Sequence, residues 1–185
     1  MKTKPLVLII CTGNVCRSPV AEYLFRSELP DLPIEFASAG TDAMPDQEID
    51  PKMAALLARR GIETSDFRSR WLTGAMPLSA DLILTAATTH RATVTRISPP
   101  LLHRTLTLKQ LARYAPEILT ERPPADFGAR IEWIIGSLPR ARSRSLREGS
   151  DSIEDPIGKS QRTYETVFTD VERSVLAISE LLRAR

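Results

Sequence analysis

Residues 11–18, with the sequence CTGNVCRS, combine a thiol and a guanidinium group with five residues between them. A cysteine thiolate is a strong nucleophile, and a guanidinium group binds oxyanions through two parallel hydrogen bonds. If the intervening residues curl into a loop, Arg17 can turn to face the sulfur of Cys11. The spacing therefore predicts a nucleophile beside an anion-binding group.

The sequence on either side of residues 11–18 favours an anion of phosphate size. The apolar run 6–10 predicts a strand, and Pro19 suits the first turn of a helix. A loop between a strand and a helix N-terminus directs several backbone N–H groups at one point. Gly13 leaves room for close approach, and Asn14 tolerates a left-handed backbone. Such a loop and its helix N-terminus also favour the thiolate of Cys11.

Two further residues of the loop can act on the sulfur of Cys11. Ser18 can cap the following helix and donate a hydrogen bond toward the thiolate, which would also stabilise the sulfur as a leaving group. Cys16 is too close in the same loop to be a second nucleophile. It is predicted to be either a buried structural thiol or the partner in a reversible disulfide with oxidised Cys11.

Phosphoryl transfer to a thiolate also needs an acid for the leaving oxygen and a base for water. Asp155 stands before Pro156 and Gly158, in a predicted loop ahead of the last helix. A mobile loop can carry this carboxyl group over a bound phosphate. Glu154 is the rival acid, but neighbouring side chains of an extended backbone point in opposite directions. Asp155 is therefore the predicted general acid.

The order of the predicted elements indicates the fold class. Strands alternate with helices, which is typical of a parallel sheet covered on both faces. We predict an α/β three-layer sandwich with a central parallel sheet of about four strands flanked by helices. The predicted strands are 6–10, 34–37, 80–85 and 104–106, and the main helices begin at residues 19, 51, 88, 107, 124 and 164. Residues 140–152 are predicted to be a flexible loop.

Length and composition restrict the class of protein. With 185 residues, 42% of them apolar, and a net charge of +2, the chain predicts a single domain over 1–185 and no nucleic-acid partner. No apolar run approaches the length of a membrane span, so we expect no membrane insertion. Two cysteines cannot build a disulfide framework, which favours a cytoplasmic location.

A metal site can be proposed from the two cysteines and the two histidines, His90 and His103. The cysteines lack the usual metal-binding spacing and a second matching pair, and the histidines lie far apart in sequence. We therefore predict no metal, and no catalytic role for either histidine.

Several segments together resemble the low-molecular-weight protein tyrosine phosphatase family, and the resemblance covers most of the chain. The residues that carry it are 11–19, with Gly-Asn, a second cysteine and Ser-Pro in place, followed by Ser-Ala-Gly-Thr at 38–41, residues 80–84, the Asp-Pro pair at 155–156, and residues 164–168.

The resemblance implies a phosphomonoester hydrolase that acts without a cofactor through a cysteinyl-phosphate intermediate. Its substrate would be a phosphotyrosine-containing protein or a small aryl phosphate. By the same resemblance, Cys11 is the nucleophile, Arg17 binds the phosphate and Asp155 is the general acid. The phosphate-binding loop comprises Thr12, Gly13, Asn14, Val15, Cys16, Arg17 and Ser18, and Ser38 supports it.

The chain departs from the family around the expected substrate pocket. Ile157 follows Asp-Pro where relatives carry aromatic residues, and Met44 falls in a loop that often carries tryptophan or tyrosine. Trp71 replaces a common glutamine and can form a pocket wall or pack internally. The segment from about 97 to 152 is longer than in small family members.

Three other functions remain open. The related arsenate reductases share the loop, but they use further cysteines that this chain lacks. Protein-arginine phosphatases resemble this chain but carry threonine at the position of Val15, where an apolar residue resembles the tyrosine-specific members. A non-catalytic phosphoprotein-binding regulator is the alternative outside enzymes.

Overall fold

The computed structural model describes residues 4–145 and 149–184. The strands are β1 (Leu6–Cys11), β2 (Glu35–Gly40), β3 (Leu82–Thr85) and β4 (Thr105–Thr107). The helices are α1 (Arg17–Glu28), α2 (Pro51–Ala58), α3 (Ala75–Ser79), α4 (Thr88–Ile97), α5 (Leu108–Ile118), α6 (Phe127–Arg144) and α7 (Gln161–Arg183), and a 3-10 helix spans Pro99–Arg104.

The four strands form one parallel sheet in the order β2-β1-β3-β4. Strand β1 is central, and Cys11 at its end pairs with Gly40 at the end of β2. In parallel sheets the carboxyl ends of all strands meet at one edge, which is where ligands usually bind. The predicted loop therefore begins at the favoured edge of this sheet.

Alternate residues of β1 enter two separate hydrophobic layers. Val7 and Ile9 pack with residues of α1, α2, α5, α6 and α7, whereas Leu8 and Ile10 belong to a cluster that includes Val94 of α4 and Leu101 of the 3-10 helix. Successive side chains of a strand point to opposite faces, so both faces of the sheet are covered. The predicted α/β three-layer sandwich is confirmed. Within the described ranges, no helix combines the length and the apolar character that crossing a bilayer requires.

Helix starts agree with the capping residues in the sequence. The side chain of Asp50 accepts a hydrogen bond from the backbone of Lys52 at the start of α2. Thr107 and Gln110 form a reciprocal capping box at the start of α5. Helix α1, by contrast, begins at Arg17, two residues before the predicted Pro19 and without a side-chain cap.

Helix α6 corrects the prediction of a flexible loop from residue 140 onward, because the helix continues to Arg144. Ala141 is fully buried on its inner face. Arg140 pairs with Glu121, and Arg144 pairs with Glu117 at 2.9 Å. These contacts extend the helix over a stretch whose sequence is mostly polar. The remainder of the predicted loop includes 146–148, which lie outside the described residues.

Candidate active site

The loop after β1 is a cradle of unpaired backbone donors. Asn14 has a φ of 53°, the left-handed conformation expected of it. The carbonyls of Cys11 and Thr12 accept hydrogen bonds from the backbone of Thr41 and Asp42 at 2.9 and 3.0 Å, which fasten the loop to the end of β2. Among the described hydrogen bonds, none is donated by a backbone N–H of residues 12–16. These groups are therefore free to bind an oxyanion.

Gly40 is required by the close approach of this loop to β2. A Cβ atom at Gly40 would lie 2.3 Å from the carbonyl oxygen of Thr12 and 2.9 Å from the backbone nitrogen of Asn14. Gly13, by comparison, would place a Cβ in ordinary contact with Val15, at 3.6 Å. Gly40 is therefore the position that requires glycine. In the sequence it stands out only as part of the Ser-Ala-Gly-Thr motif at 38–41.

A buried chain of hydrogen bonds leads from Asn14 to the thiol of Cys11. Asn14 Nδ2 donates to Ser18 Oγ at 2.9 Å, and Asn14 Oδ1 accepts from the backbone of Arg70 at 2.8 Å. Ser18 Oγ lies 2.9 Å from Cys11 Sγ. Since the oxygen of Ser18 already accepts from Asn14, its hydroxyl proton is available to a thiolate at Cys11.

The same chain continues away from the sulfur to Ser38 and Glu22. Asn14 Nδ2 donates to Ser38 Oγ at 2.8 Å, and Ser38 donates to Glu22 Oε2 at 2.5 Å. Glu22 also pairs with Arg26 at 2.6 Å. Burial raises the pKa of Glu22, and the hydrogen bond from Ser38 and the charge of Arg26 oppose that rise. Ser38 therefore contacts the loop, and Glu22 is a further support that no sequence motif indicated.

Arg17 lies in the first turn of α1 with its guanidinium group partly engaged. Its Nη1 donates to the carbonyl of Ile153 at 3.2 Å, and its Nη2 donates to Thr12 Oγ1 at 3.3 Å and to Asp155 Oδ2 at 2.5 Å. The buried Nε has no hydrogen-bond partner in the described protein. An unpaired donor beside the unpaired N–H groups of the loop suits a bound oxyanion.

Asp155 reaches the loop from 138 residues along the chain, through its ion pair with Arg17. Nearly half of its side chain, 45%, is exposed, so the carboxyl group lies at the mouth of the site. Glu154 instead pairs with Lys159 at 2.5 Å, between two exposed side chains. The neighbouring carboxylates therefore diverge, as the sequence analysis expected.

Three residues anchor the loop that carries Asp155. The backbone N–H of Ile153 donates to the carbonyl of Ala86 after β3, at 2.8 Å. The side chain of Ser152 accepts from the backbone of Thr88 at 3.1 Å. Buried Asp151 accepts hydrogen bonds from Gln110 and Arg113 of α5 at 2.9 and 2.7 Å. The loop that carries Asp155 is thus attached to the end of β3 and to helices α4 and α5.

Cys16 is buried at the start of α1, and both cysteines are free thiols. Burial raises the pKa of Cys16, and the negative charges of Asp50 and Cys11 raise it further. Cys16 is therefore held as the neutral thiol. The two alternatives given for it, a structural thiol and a redox partner of Cys11, both stay predictions.

The three predicted pocket-wall residues are all exposed. Met44 is 72% exposed, Trp71 50% and Ile157 52%. Trp71 lies beside Gly40 in a short parallel bridge, and Ser69 donates to the carbonyl of Met44 at 2.5 Å. Trp71 and Met44 thus belong to two segments joined to each other next to the end of β2. Exposure argues against internal packing of Trp71, and its place in a pocket wall stays a prediction.

The two histidines differ in position. His103 is exposed and contacts the carbonyl of Pro100. His90, in the first turn of α4, is buried, and its Nε2 lies 2.9 Å from Thr12 Oγ1 of the cradle. The sequence alone did not indicate this contact, although His90 follows the carboxyl end of β3, the neighbour of β1. Within residues 4–145 and 149–184, no three His, Cys, Asp or Glu side chains are grouped as metal ligands.

A cleft of about 610 Å³ lies at the opposite end of the sheet, lined by Pro5, Asp81, Arg104 and Phe127 among others. It borders the amino ends of three strands and contains no cysteine. The grouping of a thiol, a partly unpaired guanidinium and a carboxylate occurs instead at the carboxyl ends. We therefore assign the functional site to the cradle.

Comparison with known proteins identifies the family. The family described as "Low molecular weight phosphotyrosine protein phosphatase" matches residues 6–122. The low molecular weight protein-tyrosine-phosphatase Etp of Escherichia coli (strain K12) is 36% identical over 168 residues, which cover 91% of this chain and 88% of Etp.

Solved structures agree with this result. The YwlE arginine phosphatase from Geobacillus stearothermophilus superposes with a TM-score of 0.70 at 25% identity, covering 95% of this chain and 91% of YwlE. The tyrosine phosphatase Wzb from Escherichia coli K30 has the same fold, with a TM-score of 0.69 at 24% identity, covering 96% of this chain and 97% of Wzb. The chain belongs to the low molecular weight protein-tyrosine phosphatase family.

Proposed function

We propose that this protein hydrolyses phosphotyrosine in proteins, and small aryl phosphates, with Cys11 as nucleophile, Arg17 as phosphate-binding group and Asp155 as general acid. The observation that carries the proposal is the contact of Arg17 with Asp155 beside a loop of unpaired backbone donors. Family membership supports the reaction class. Activity in the cytoplasm is part of the proposal, because both cysteines are free thiols.

The first step transfers the phosphoryl group to sulfur. Phosphate oxygens accept hydrogen bonds from the backbone N–H groups of the loop and from Nε and Nη2 of Arg17. The phosphate thereby replaces Asp155 as the partner of Nη2. The thiolate of Cys11 forms the S–P bond while the bond from phosphorus to the phenolic oxygen breaks. Protonated Asp155, moved above the phosphate by its loop, gives its proton to that oxygen.

The second step returns the enzyme to its starting state. The carboxylate of Asp155 takes a proton from a water molecule, whose oxygen attacks phosphorus as the S–P bond breaks. The hydroxyl of Ser18, 2.9 Å from Cys11 Sγ, donates to the departing thiolate and stabilises it. Inorganic phosphate leaves, and Asp155 is protonated for the next cycle.

Preference for phosphotyrosine is supported by the pocket mouth. Trp71, Met44 and Ile157 are large apolar side chains left exposed, which suits an aromatic substrate ring. Val15, partly buried against the core, offers no hydrogen-bonding side chain to a guanidinium substrate. Phosphoarginine is the second candidate substrate, favoured by the superposition with the YwlE arginine phosphatase.

Two phosphopeptides of equal sequence, one with phosphotyrosine and one with phosphoarginine, test the proposal. We expect the purified protein to release phosphate from the phosphotyrosine peptide with the higher kcat/KM, and Cys11→Ser to abolish release. Faster release from phosphoarginine would replace the proposed substrate by the second candidate. Full activity of Cys11→Ser would overturn the mechanism, and phosphate binding without any turnover would favour a regulator.

A further inference from the structure

His90 is a buried imidazole joined to the phosphate cradle by one hydrogen bond. It is 6% exposed, and its Nε2 lies 2.9 Å from Thr12 Oγ1. The same Thr12 oxygen accepts a hydrogen bond from Arg17 Nη2 at 3.3 Å. The hydroxyl of Thr12 therefore stands between the imidazole and the guanidinium group that would bind phosphate.

The hydrogen bond from Arg17 limits how the hydroxyl of Thr12 can pair with His90. A guanidinium group can only donate, so the Thr12 oxygen accepts from Arg17 and has one proton left to donate. The oxygen also keeps a second lone pair, so the contact with Nε2 of His90 fits either tautomer. The positioning role requires the tautomer with the ring proton on Nδ1, in which Nε2 accepts the proton of Thr12. The buried Nδ1 has no hydrogen-bond partner in the described protein, so the contact with Thr12 is the tie that orients the ring.

The surroundings of His90 keep the imidazole neutral. Burial, together with the nearby positive charge of Arg17, lowers the pKa of His90 to about 4, against the opposing charge of Asp155. A neutral ring can accept the proton of Thr12 at neutral pH, whereas an imidazolium could not.

We propose that His90 is a positioning residue for the phosphatase site: its Nε2 orients the hydroxyl of Thr12 so that the oxygen holds Arg17 ready for phosphate. If Nε2 is removed, the Thr12 proton loses its acceptor and can turn toward Arg17, where two donors would oppose each other. Asp155 then remains the side-chain partner of Arg17 Nη2, and phosphate must compete with a stronger ion pair. The inference rests on the proposed function of the cradle.

The test measures the Kd of inorganic phosphate by calorimetry, which requires no turnover and therefore stands even if no substrate is hydrolysed. His90→Phe keeps an aromatic ring but no acceptor, and we expect it to weaken phosphate binding about three- to tenfold. His90→Gln restores an acceptor near the position of Nε2 and should return the Kd to within about twofold of the unmodified protein. His103→Phe, at the exposed histidine, is the matched control and should leave the Kd unchanged.

Thr12→Val tests the same contact from the other side. It removes the contact with His90 and also the acceptor for Arg17, so it should weaken phosphate binding at least as much as His90→Phe. The double variant should bind no more weakly than Thr12→Val alone, because His90 acts through the hydroxyl of Thr12. Unchanged binding in His90→Phe, no rescue by His90→Gln, or multiplying effects in the double variant would each overturn the proposal. If His90→Phe fails to fold, Thr12→Val and His90→Gln still decide.

Nitrogen-15 NMR of His103→Gln gives an independent test, since the chain has two histidines and this variant leaves only His90. We expect the neutral ring with its proton on Nδ1 at pH 7. A proton on Nε2, or an imidazolium, at that pH would overturn the proposal.

Discussion

The phosphate cradle differs in construction from the proposed rim of the pocket, which consists of Met44, Trp71 and Ile157. In the cradle, Asn14, Ser18 and Cys11 are buried and joined by hydrogen bonds of 2.9 Å. At the rim, Trp71 and Ile157 are about half exposed, 50% and 52%. Connected side-chain hydrogen bonds therefore stabilise the cradle, whereas the side chains of the rim are largely in contact with solvent.

This difference separates the reaction from the choice of substrate. Each buried polar group of the cradle loses a partner if its neighbour changes, so few substitutions are tolerated there. Exposed side chains at the rim can change without such a cost. The residues proposed to cleave the phosphate are therefore constrained by the fold, and the residues proposed to contact the rest of the substrate are free to vary.

Asp155 belongs to neither region, and its replacement is expected to have the largest effect on turnover among variants that keep the cradle intact. Asp155→Asn removes the acid and base but retains an acceptor for Arg17, so kcat on phenyl phosphate should fall about 10²–10⁴-fold. With p-nitrophenyl phosphate, whose leaving group needs no proton, the transfer to Cys11 should suffer less. Steady-state kinetics on both esters measures this contrast. Equal losses in the transfer step on both would argue against Asp155 as the acid.

Ser38→Ala tests whether the cradle depends on its buried support. The change leaves Glu22 Oε2 without its donor at 2.5 Å, and we expect the free energy of unfolding to fall by about 1–3 kcal/mol. Urea denaturation measures it, with the exposed Ser143→Ala as control, expected within about 0.5 kcal/mol of the unmodified protein. An unfolding midpoint of Ser38→Ala equal to that of the control would show that Ser38 does not stabilise the cradle.

Glu22 adds a pH dependence to that support. Because the folded state raises the pKa of Glu22, protonation of this group favours the fold. Its contribution is complete below the unfolded pKa of about 4.3 and is lost as pH rises through the higher folded value. Glu22→Gln cannot titrate, so its unfolding free energy should decline less over this window. Parallel pH profiles of the two proteins would contradict the role of burial at Glu22.

Trp71→Ala is expected to have the smallest effect, and that effect should be confined to substrate binding. Loss of an aromatic wall should raise KM for a phosphotyrosine peptide about two- to tenfold and leave kcat within about twofold. Leu102→Ala is the matched control, since Leu102 is 52% exposed on the 3-10 helix. A fall in kcat like that of a cradle variant would contradict the separation of the two regions.

The sequence predicted the parts of the site that are close along the chain. The strand before Cys11, the left-handed Asn14 and the four-stranded parallel sheet follow from apolar runs, turn residues and capping residues. The divergence of Glu154 from Asp155 follows from the alternation of an extended backbone. These features depend on local patterns, which a single sequence contains.

Features that depend on distant contacts were missed or incomplete. His90 contacts Thr12 because α4 follows the strand beside β1, and Gly40 is needed because a Cβ atom there would lie 2.3 Å from the carbonyl oxygen of Thr12. Helix α6 extends to Arg144 through ion pairs with α5 and the turn that follows it, which no local pattern reveals.

The central claim is that Cys11 carries the phosphoryl group, and trapping that group tests it most directly. Asp155→Asn slows hydrolysis of the intermediate, while p-nitrophenyl phosphate still supplies a good leaving group. The reaction is quenched in acid within the first turnover, and the digested protein is analysed by mass spectrometry. We predict one phosphoryl group on the peptide that contains Cys11. A phosphoryl group on another side chain, or release of one equivalent of nitrophenol with no phosphoprotein, would contradict the account.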